Sequence, residues 1–384
     1  MAVKLPLGFR VGGVTAGLKR SGRLDLGLVV GDEPLAWAMV STENQVKAPC
    51  VHRNRSRLAS RESVRALVVN SGNANCANGD AGAWDNEDFA GAAAAALHLP
   101  RVQDVLTAST GVIGKRLAMD RVRAGIPKLV AALGDDVEPF AQAILTTDLV
   151  TKVASASLPG GAEMIGVAKG SGMIHPRMAT MFTFVLTDAA MPQERLRSAW
   201  RRVADRTFNQ VTVDGDTSTN DMAIVLASGV RAVDEEAFEE ALHTVASQLA
   251  QAIARDGEGA TTLVSVRVTQ ARSDDDARRA ARAVVGSSLV KSAVHGRDPN
   301  WGRILCAVGS TGVIADFGSL TITLQGHVVF QGESRPFDEA VVSQAMHADE
   351  VVIEVALGAG DGSGEAWGCD LSAEYVRINA DYRT

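Results

Sequence analysis

The 384-residue sequence has few aromatic residues, few cysteines and no long apolar run. Aromatic side chains make up only 4% of it, so the core must pack mainly through Val, Leu, Ala and Ile. The cysteines, Cys50, Cys76, Cys306 and Cys369, lack any CxxC spacing, which argues against a disulfide framework or a zinc site and predicts small buried side chains. No run approaches the length of a membrane span and the N-terminus shows no signal-peptide core, so we expect a cytoplasmic protein.

Charge and length limit the classes of protein to which the chain can belong. The content of 46% hydrophobic and 22% charged residues is ordinary for a folded chain, and the length predicts roughly two or three domains. A net charge of -7 argues against a nucleic acid as the main partner. The isolated basic stretch 53–65 is therefore interpreted as a solvated face.

Helical and strand patterns alternate along the chain without a regular βαβ repeat, which favours an α+β fold over a doubly wound sheet. Helices are predicted at 88–99, 192–207, 234–255 and 274–285. Strands are predicted at 67–70, 163–168, 180–187, 262–269, 320–330 and 351–356.

The bond between Ala179 and Thr180 lies where a glycine-containing loop, Lys169-Gly-Ser-Gly-Met, leads into a predicted strand. If this bond were cut, Thr180 would carry a free amine beside its own hydroxyl, and an N-terminal amine is a known base for a threonine nucleophile. An α-amino group titrates near pKa ~8, so a useful fraction is unprotonated at neutral pH. The local pattern alone is more typical of an ordinary loop that enters a buried strand.

The rest of the sequence decides between these interpretations. The segment 169–184 resembles the self-processing segment of the ornithine acetyltransferase family, the glutamate N-acetyltransferases of arginine biosynthesis, whose motif reads KGSGM followed by ATM. Further blocks similar to the family occur in the expected order: GFR at 8–10, LVVNSGNAN at 67–75, ASTGVIG at 108–114, TTD at 146–148, VTVDGDTSTND at 211–221, DGEGAT at 256–261, LVK at 289–291, DPNWGR at 298–303 and NADYRT at 379–384.

The resemblance implies a mixed α/β, self-processing fold with an α chain, 1–179, and a β chain, 180–384, cut between Ala179 and Thr180. Thr180 would be the nucleophile, and Thr110 with Gly111 the oxyanion hole. The substrate-binding positions that match the family are Thr146 or Thr147, Lys169, Thr180, Glu258, Asn379 and Thr384.

The residue types agree with an amino-acid substrate, which brings a carboxylate and an ammonium group. Lys169 would supply the cation and Glu258 the anion. Taken alone, Lys169 would be a solvated loop lysine, and Asp256–Gly257 a turn between a helix and a strand. The C-terminal segment 375–384 is rich in side chains that pack and hydrogen bond, so we expect an ordered tail that closes the pocket.

The implied reaction moves an acetyl group from N2-acetyl-L-ornithine to L-glutamate through acetyl-Thr180, in a ping-pong scheme without metal or cofactor. Acetyl-CoA is a possible further donor, and the implied assembly is an α2β2 heterotetramer. The alternatives are an N-terminal-threonine amidohydrolase or aminopeptidase, an acetyltransferase of the same fold in a specialised pathway, and a non-catalytic amino-acid-binding protein.

Other motifs fail simple tests. The alternating Asp214 and Asp216 suggest a calcium loop, but Thr219 and Val225 occupy its glycine and final carboxylate positions. We therefore expect 213–221 to be a hydrogen-bonded turn that braces the nucleophile's strand. The segment 111–115 lacks phosphate-loop spacing. His175 and His295 are interpreted as structural, and Asp298–Arg303 as a rigid turn.

Overall fold

The computed structural model describes residues 4–175 and 181–381. Within them, contacts divide the chain into two compact units, one of residues 4–170, 181–204 and 217–249, the other of 171–175, 205–216 and 250–381. Each unit contains residues from both sides of residue 180. The spatial units therefore differ from the predicted α and β chains, whose cleavage point lies outside the described residues.

The elements are those of a mixed α/β protein, which confirms the predicted fold class. The strands are β1 Phe9–Val14, β2 Leu26–Ser41, β3 Val64–Asn73, β4 Val105–Val112, β5 Lys152–Ser157, β6 Glu163–Lys169, β7 Phe182–Ala190, β8 Met222–Ala232, β9 Leu263–Ala271, β10 Thr321–Leu324, β11 His327–Gln331, β12 Glu333–Ser334, β13 Glu350–Ala356 and β14 Gly362–Cys369. The α-helices are α1 Pro49–Ser60, α2 Gly79–Ala96, α3 Met119–Ala131, α4 Glu138–Ala143, α5 Gln193–Arg206, α6 Glu235–Arg255, α7 Asp274–Val285, α8 Ser288–His295, α9 Trp301–Gly309, α10 Glu339–Ala345 and α11 Ala373–Asp381. Among the described helices, none is both long and apolar enough to cross a membrane.

The first unit contains an eight-stranded sheet in the order β4-β3-β2-β8-β7-β6-β5, with β1 paired to β2. The pairs β3–β4 and β7–β8 are parallel, whereas β2–β3, β2–β8 and β6–β7 are antiparallel. Alternate residues of β2 enter different apolar clusters: Leu28 packs in one and Val29 in the other. Because strand side chains alternate between faces, this sheet is buried on both sides.

Helix α6 packs closely against β6 at a glycine. A Cβ atom on Gly166 would lie 2.6 Å from Leu249 Cδ1 and 2.7 Å from Val245 Cγ1. On α5, the Trp200 indole N–H donates to the carbonyl of Ala223 in β8 at 2.9 Å. These contacts hold β6 and β8, which pair with β7 on either side of it.

The second unit contains a six-stranded sheet in the order β12-β11-β10-β13-β9-β14, and β9 is parallel to β13 and antiparallel to β14. Its core joins the apolar residues of these strands to α7, α8 and α9. Trp301 packs in this core, with its ring centroid 5.3 Å from that of Phe330. Arg303 donates to the carbonyl of Leu289 at 2.8 Å. The predicted rigid turn at 298–303 is therefore shorter than expected, because helix α9 already begins at Trp301.

Most predicted elements are confirmed to within two residues, including α5, α6, α7, β6, β9 and β13. Helix α2 begins nine residues before the predicted position 88. The predicted strand 320–330 is wrong as one strand, because Gln325 and Gly326 both have positive φ and form a turn between β10 and β11. The expected burial of all four cysteines is wrong for Cys306, which is exposed on α9.

The basic stretch 53–65 is not simply a solvated face. Arg53 is 9% exposed and its guanidinium donates to the carbonyls of Val105, at 2.6 Å, and Val102, at 2.8 Å. Arg55 donates to the Thr42 carbonyl at 2.8 Å. The guanidinium group of Arg53 is therefore used inside the protein, and that of the exposed Arg55 caps a backbone carbonyl just after β2.

Candidate active site

The start of β7 is held by a carboxylate. Ala179 and Thr180, the predicted cleavage site and nucleophile, lie outside the described residues, and Met181 is the first described residue after them. The Met181 N–H donates to Asp221 Oδ1 at 3.1 Å, and the Met222 N–H donates to the Met181 carbonyl at 3.2 Å. The predicted bracing of this strand by the turn before β8 is confirmed.

The neighbouring Asn220 connects the same turn to β4. Its side-chain amide donates to the carbonyl of Ser109 at 2.6 Å and to that of Ala74 at 2.7 Å. Asn220 and Asp221 are consecutive, so one short segment fixes the residue before Thr110 and the residue after Thr180. The backbone next to the predicted oxyanion hole and the backbone next to the predicted nucleophile therefore share one anchor.

Thr110 and Gly111 lie near the end of β4, and Thr110 is only 3% exposed. Gly111 has φ +128, and a Cβ atom there would lie 2.4 Å from the carbonyl carbon of Gly72 on the parallel strand β3. Only glycine fits both the dihedral angle and the close approach. A glycine N–H and an adjacent threonine hydroxyl are donors of the kind that stabilise an oxyanion, and this role remains a prediction.

Lys169 is buried, not solvated. It ends β6, is 2% exposed, and its Nζ lies 3.2 Å from Thr146 Oγ1 and 5.7 Å from the ring centroid of Phe182. The structure therefore brings together two of the predicted substrate-binding residues. Thr146 is half-buried, as is Thr147, and the Thr146 hydroxyl accepts this hydrogen bond from Lys169.

The buried carboxylate of Asp148 stabilises the buried ammonium group of Lys169 electrostatically. Asp148 accepts hydrogen bonds from Lys152 Nζ at 2.7 Å, the Gly170 N–H at 2.6 Å and the Thr146 N–H at 3.0 Å. Burial by itself raises the pKa of Asp148, but the charges of Lys152 and Lys169 outweigh it and bring the pKa to about 2. The group is therefore ionised at neutral pH and neutralises part of the positive charge in the interior.

An open cavity of about 600 Å³ lies beside this cluster. Thr146 and Asp148 line it together with two basic residues, Lys19 and Arg23. Burial lowers the pKa of Lys19 to about 8, although Asp25 opposes that effect. The cavity therefore adjoins the segment that carries Thr146 and Asp148.

In the second unit, Glu258 lies against the glycine loop. Its N–H donates to the Ser171 carbonyl at 2.9 Å, and a Cβ atom on Gly172 would lie 2.4 Å from Glu258 Oε2. The second glycine of the KGSGM motif therefore leaves the space that the carboxylate occupies. The predicted turn after helix α6 places the Glu258 carboxylate against this glycine, and the role of Glu258 in substrate binding remains a prediction.

Asn379 extends this arrangement from the C-terminal helix. Its Nδ2 donates to Glu258 Oε2 at 3.0 Å and to the Tyr375 carbonyl at 3.0 Å. Gly259, with φ +73, allows the backbone of Tyr375 to approach, because a Cβ atom there would lie 2.4 Å from the Tyr375 nitrogen. The predicted tail is helical up to Asp381, and Thr384 lies outside the described residues.

The remaining polar candidates have structural partners. Asp214 accepts the N–H groups of Met173 and Ile174 at 2.5 and 2.8 Å, which is a turn function and not calcium binding. His175 Nδ1 lies 3.2 Å from Thr212 Oγ1, and His295 Nδ1 lies 2.7 Å from Asp370 Oδ2. In the described part of the chain, no three His, Cys, Asp or Glu side chains are grouped as metal ligands.

The sequence patterns did not indicate the contacts that four residues make around the candidate site. These residues are Gly172, Lys152, Asn220 and Asp221. The motif blocks contained three of them, but spacing does not reveal which side chain faces which carbonyl. For Lys152 the available signal was the acid four residues earlier, Asp148, in a segment otherwise rich in apolar and hydroxyl residues.

The first unit therefore buries an ammonium group, that of Lys169, beside a threonine hydroxyl, and the second unit holds a carboxylate, that of Glu258, against a glycine. The ArgJ family model matches residues 10–384. The chain is 54% identical over all of both sequences to the arginine biosynthesis bifunctional protein ArgJ of Thermus thermophilus, and 52% identical to that of Deinococcus radiodurans, over 100% of this chain and 98% of the relative.

A solved structure agrees with these relatives. The Bacillus halodurans arginine biosynthesis bifunctional protein ArgJ is 44% identical, covers 53% of this chain and 100% of its own, and superposes with a TM-score of 0.52. The chain belongs to the ArgJ family. It is an enzyme, an acyltransferase of arginine biosynthesis.

Proposed function

We propose that the enzyme transfers the acetyl group of N2-acetyl-L-ornithine to L-glutamate through an acetyl-Thr180 intermediate. In the first half-reaction the Thr180 hydroxyl attacks the acetyl carbonyl, and the α-amino group of Thr180 takes the hydroxyl proton and passes it to the departing amine of ornithine. In the second half-reaction the amine of glutamate attacks the acetyl ester and regenerates the hydroxyl. One nucleophile and one base serve both steps.

The base must first be made. In the uncut chain the nitrogen of Thr180 is an amide, which is not basic, so the Ala179–Thr180 bond has to break before transfer begins. The products would be an α chain, 1–179, and a β chain, 180–384. We carry the α2β2 assembly and a cytoplasmic location as further parts of this proposal, with no metal and no cofactor, and with acetyl-CoA as a possible second donor.

The observation that carries the proposal is the common anchor at Asn220 and Asp221. A covalent mechanism needs the nucleophile and the oxyanion donors in fixed register, because small displacements weaken transition-state stabilisation. Asn220 holds the carbonyl of Ser109, and Asp221 holds the N–H of Met181. Each held residue is the chain neighbour of a proposed catalytic one.

The charged residues support an amino-acid substrate. Lys169 offers an ammonium group for a carboxylate, with the Thr146 hydroxyl 3.2 Å away. Glu258 offers a carboxylate for an ammonium group, oriented by the side-chain amide of Asn379. Ornithine and glutamate both carry an α-carboxylate, and deacetylated ornithine carries the free cations that Glu258 would attract.

Intact mass measurement tests the proposal. Wild-type enzyme should give two fragments that meet at Ala179/Thr180, whereas Thr180→Ala should stay full length and inactive. Thr183→Ala is a matched control, because Thr183 Oγ1 on β7 is buried without a hydrogen-bond partner in the described part of the chain. That control should be cut and active, and an active wild type without any cut would contradict the proposal.

The same enzyme preparation distinguishes the proposed acetyltransferase from the alternative amidohydrolase. Acetylornithine incubated alone should leave the acetyl group on the enzyme, and N-acetylglutamate should appear only when glutamate is added. Rapid release of free acetate with or without glutamate would identify an amidohydrolase instead. Parallel assays with acetyl-CoA as donor would decide whether the enzyme also uses that thioester.

A further inference from the structure

Glutamate carries one charged group more than the residues of the proposed function account for. Lys169 is assigned to an α-carboxylate and Glu258 to an ammonium group, whereas glutamate also has a carboxylate at the end of its side chain. A carboxylate that leaves water needs a cation or several hydrogen-bond donors in exchange. The first unit contains a further cation of this kind, the ammonium group of Lys19.

Lys19 lines the open cavity of about 600 Å³ together with Thr146. The Thr146 hydroxyl accepts a hydrogen bond from Lys169 Nζ at 3.2 Å, so one threonine joins this cavity to the proposed partner of the α-carboxylate. Lys19 also lies close enough to Lys169 and Asp148 for their charges to act on its pKa. Lys19 is therefore a second cation in the neighbourhood of Lys169.

The loop that carries Lys19 is held in one conformation. The Asp25 carboxylate accepts the N–H groups of Leu18, at 2.6 Å, and of Lys19, at 3.0 Å. The stem of Lys19 packs against β3, because a Cβ atom on Gly72 would lie 3.0 Å from Lys19 Cγ. Gly72 pairs with Gly111 on the parallel strand β4. The stem of Lys19 is thus placed beside the strand pair that carries the predicted oxyanion hole.

The ammonium group of Lys19 has donors left for a ligand. Its Nζ donates to the Leu24 carbonyl at 2.7 Å, and an ammonium group has further N–H donors beyond that one. The exposed Arg23 lines the same cavity. Within residues 4–175 and 181–381, neither Lys19 nor Arg23 forms an ion pair with a carboxylate. Two cations therefore lie on this cavity without an acidic partner.

The carboxylates of the cavity, in contrast, are already engaged. Asp148 accepts a hydrogen bond from Lys152 Nζ at 2.7 Å. Glu138 accepts the side-chain amide of Gln142 at 2.9 Å and the hydroxyl of Thr151 at 3.3 Å. The charged groups with hydrogen-bonding capacity to spare are thus the cations, and they suit an anionic ligand.

We propose that this cavity binds the side-chain carboxylate of the acceptor glutamate, with Lys19 as the main cation and Arg23 beside it. The inference rests on the proposed function, because it identifies how the acceptor of that reaction is selected. The side chain of N2-acetylornithine ends in an ammonium group, which gains nothing from these cations. Lys19 should therefore matter for the half-reaction with glutamate and little for the half-reaction with acetylornithine.

Two substitutions test the charge of Lys19. Lys19→Gln keeps an N–H donor for the Leu24 carbonyl but lacks the charge, whereas Lys19→Arg keeps the charge. Steady-state kinetics with acetylornithine as donor compare glutamate with glutamine, its neutral analogue, as acceptor. Lys19→Gln should lower kcat/KM for glutamate by about 10- to 100-fold, the usual loss for a hydrogen bond to a charged group, and leave that for glutamine nearly unchanged. Lys19→Arg should keep most of the preference for glutamate.

Arg20→Gln is the matched control, because Arg20 is an exposed cation beside Lys19 in the chain and is not among the residues that line the cavity. This control should keep the wild-type preference for glutamate. The rate at which acetylornithine acetylates the enzyme, measured without an acceptor, should stay close to the wild-type rate in Lys19→Gln. Circular dichroism on each variant reports folding independently.

A folded Lys19→Gln enzyme that prefers glutamate as strongly as Arg20→Gln overturns the inference, and so does an equal loss with both acceptors. If Lys19→Gln does not fold, Arg23→Gln decides, because its side chain is exposed. A lower kcat/KM for glutamate alone then supports the inference, and unchanged acceptor kinetics contradict it. A loss confined to reactions with acetyl-CoA would assign the cations to its phosphate groups and would overturn the inference as well. Wild-type enzyme that transfers no acetyl group to glutamate would instead defeat the proposed function itself.

Discussion

Lys169 and Glu258, the two proposed partners for substrate charge, are held in opposite ways. Lys169 is 2% exposed and shares a buried cluster with Asp148 and Lys152, whose hydrogen bonds join three segments of the first unit. Glu258 is half-buried, rests on a glycine, and meets an exposed asparagine on the last described helix of the second unit. The cation belongs to the interior of one unit, and the anion belongs to the surface of the other.

The difference teaches which substitutions should damage folding and which should damage only function. Removing one member of a buried charge cluster leaves an uncompensated charge in a medium of low dielectric. Changing a half-exposed carboxylate leaves groups that water can solvate. The first cluster should therefore couple stability to activity, whereas the second should change activity almost alone.

The largest expected effect follows from Asp148→Asn. This change leaves the Lys152 and Lys169 ammonium groups buried without their carboxylate, and we expect the free energy of unfolding to fall by about 3–5 kcal/mol. Urea unfolding monitored by circular dichroism measures it. Glu374→Gln, which removes a surface carboxylate 2.7 Å from Arg377, is the control and should change stability little.

The pH dependence of unfolding sharpens this test. The pKa of Asp148 is about 2 in the folded state, below its ordinary value near ~3.9. Stabilisation by the ionised group is therefore complete above that ordinary value, and it is lost as pH falls from about 4 through 2. Asp148→Asn should lack this acid-dependent part. Equal losses of stability in both proteins over that range would contradict the assigned ionisation.

A smaller effect is expected on catalysis, where substitutions of the two buried lysines, Lys169 and Lys152, should have different consequences. Lys169→Met removes the proposed partner of the substrate carboxylate, and a lost hydrogen bond to a charged group lowers kcat/KM by about 10- to 100-fold. Lys152→Met removes a lysine of equal burial that donates a hydrogen bond to Asp148. Steady-state kinetics on both variants, at matched folded fractions, should show the larger loss for Lys169→Met. A larger loss for Lys152→Met would contradict the proposed role of Lys169 in binding the substrate carboxylate.

The smallest effect is expected from Gly172→Ala in the second unit. The added methyl group would meet the end of the flexible Glu258 side chain, so the carboxylate must shift while the fold adjusts at low cost. We expect kcat/KM to fall by about tenfold, because a charge-assisted contact is displaced and not deleted. Gly302→Ala on α9, where the new Cβ makes an ordinary 3.5 Å contact, is the control. A large loss of stability in Gly172→Ala would contradict the proposed contrast between the regions.

The sequence was most informative where a pattern reports on local structure. Amphipathic and β-rich runs located helices α5, α6 and α7 and strands β6 and β13, and the motif blocks located Lys169, Glu258 and Asn379. The 320–330 run looked continuous because turn residues Gln325 and Gly326 occupy only two positions within it. A brief interruption of this kind is easily missed in an apolar stretch.

The spacing of residues along the sequence could not predict contacts between distant segments. Nothing in the order of residues shows that Asn220 reaches the carbonyl of Ser109, 111 positions earlier, or that Gly172 faces Glu258. Likewise, Arg53 looked like a surface residue because two of its partners are the backbone carbonyls of Val102 and Val105, which carry no signal in a sequence. Charge composition predicts how much of a chain is polar, but not which charges the fold buries.

The most direct test of the central claim is to trap the enzyme with acetylornithine in the absence of glutamate, and to map the modified peptide by mass spectrometry. The account predicts one added acetyl group, on the hydroxyl of Thr180 at the start of the C-terminal fragment, which disappears when glutamate is added. An acetyl group on any other residue, or transfer by an enzyme that remains one unbroken chain, would contradict it.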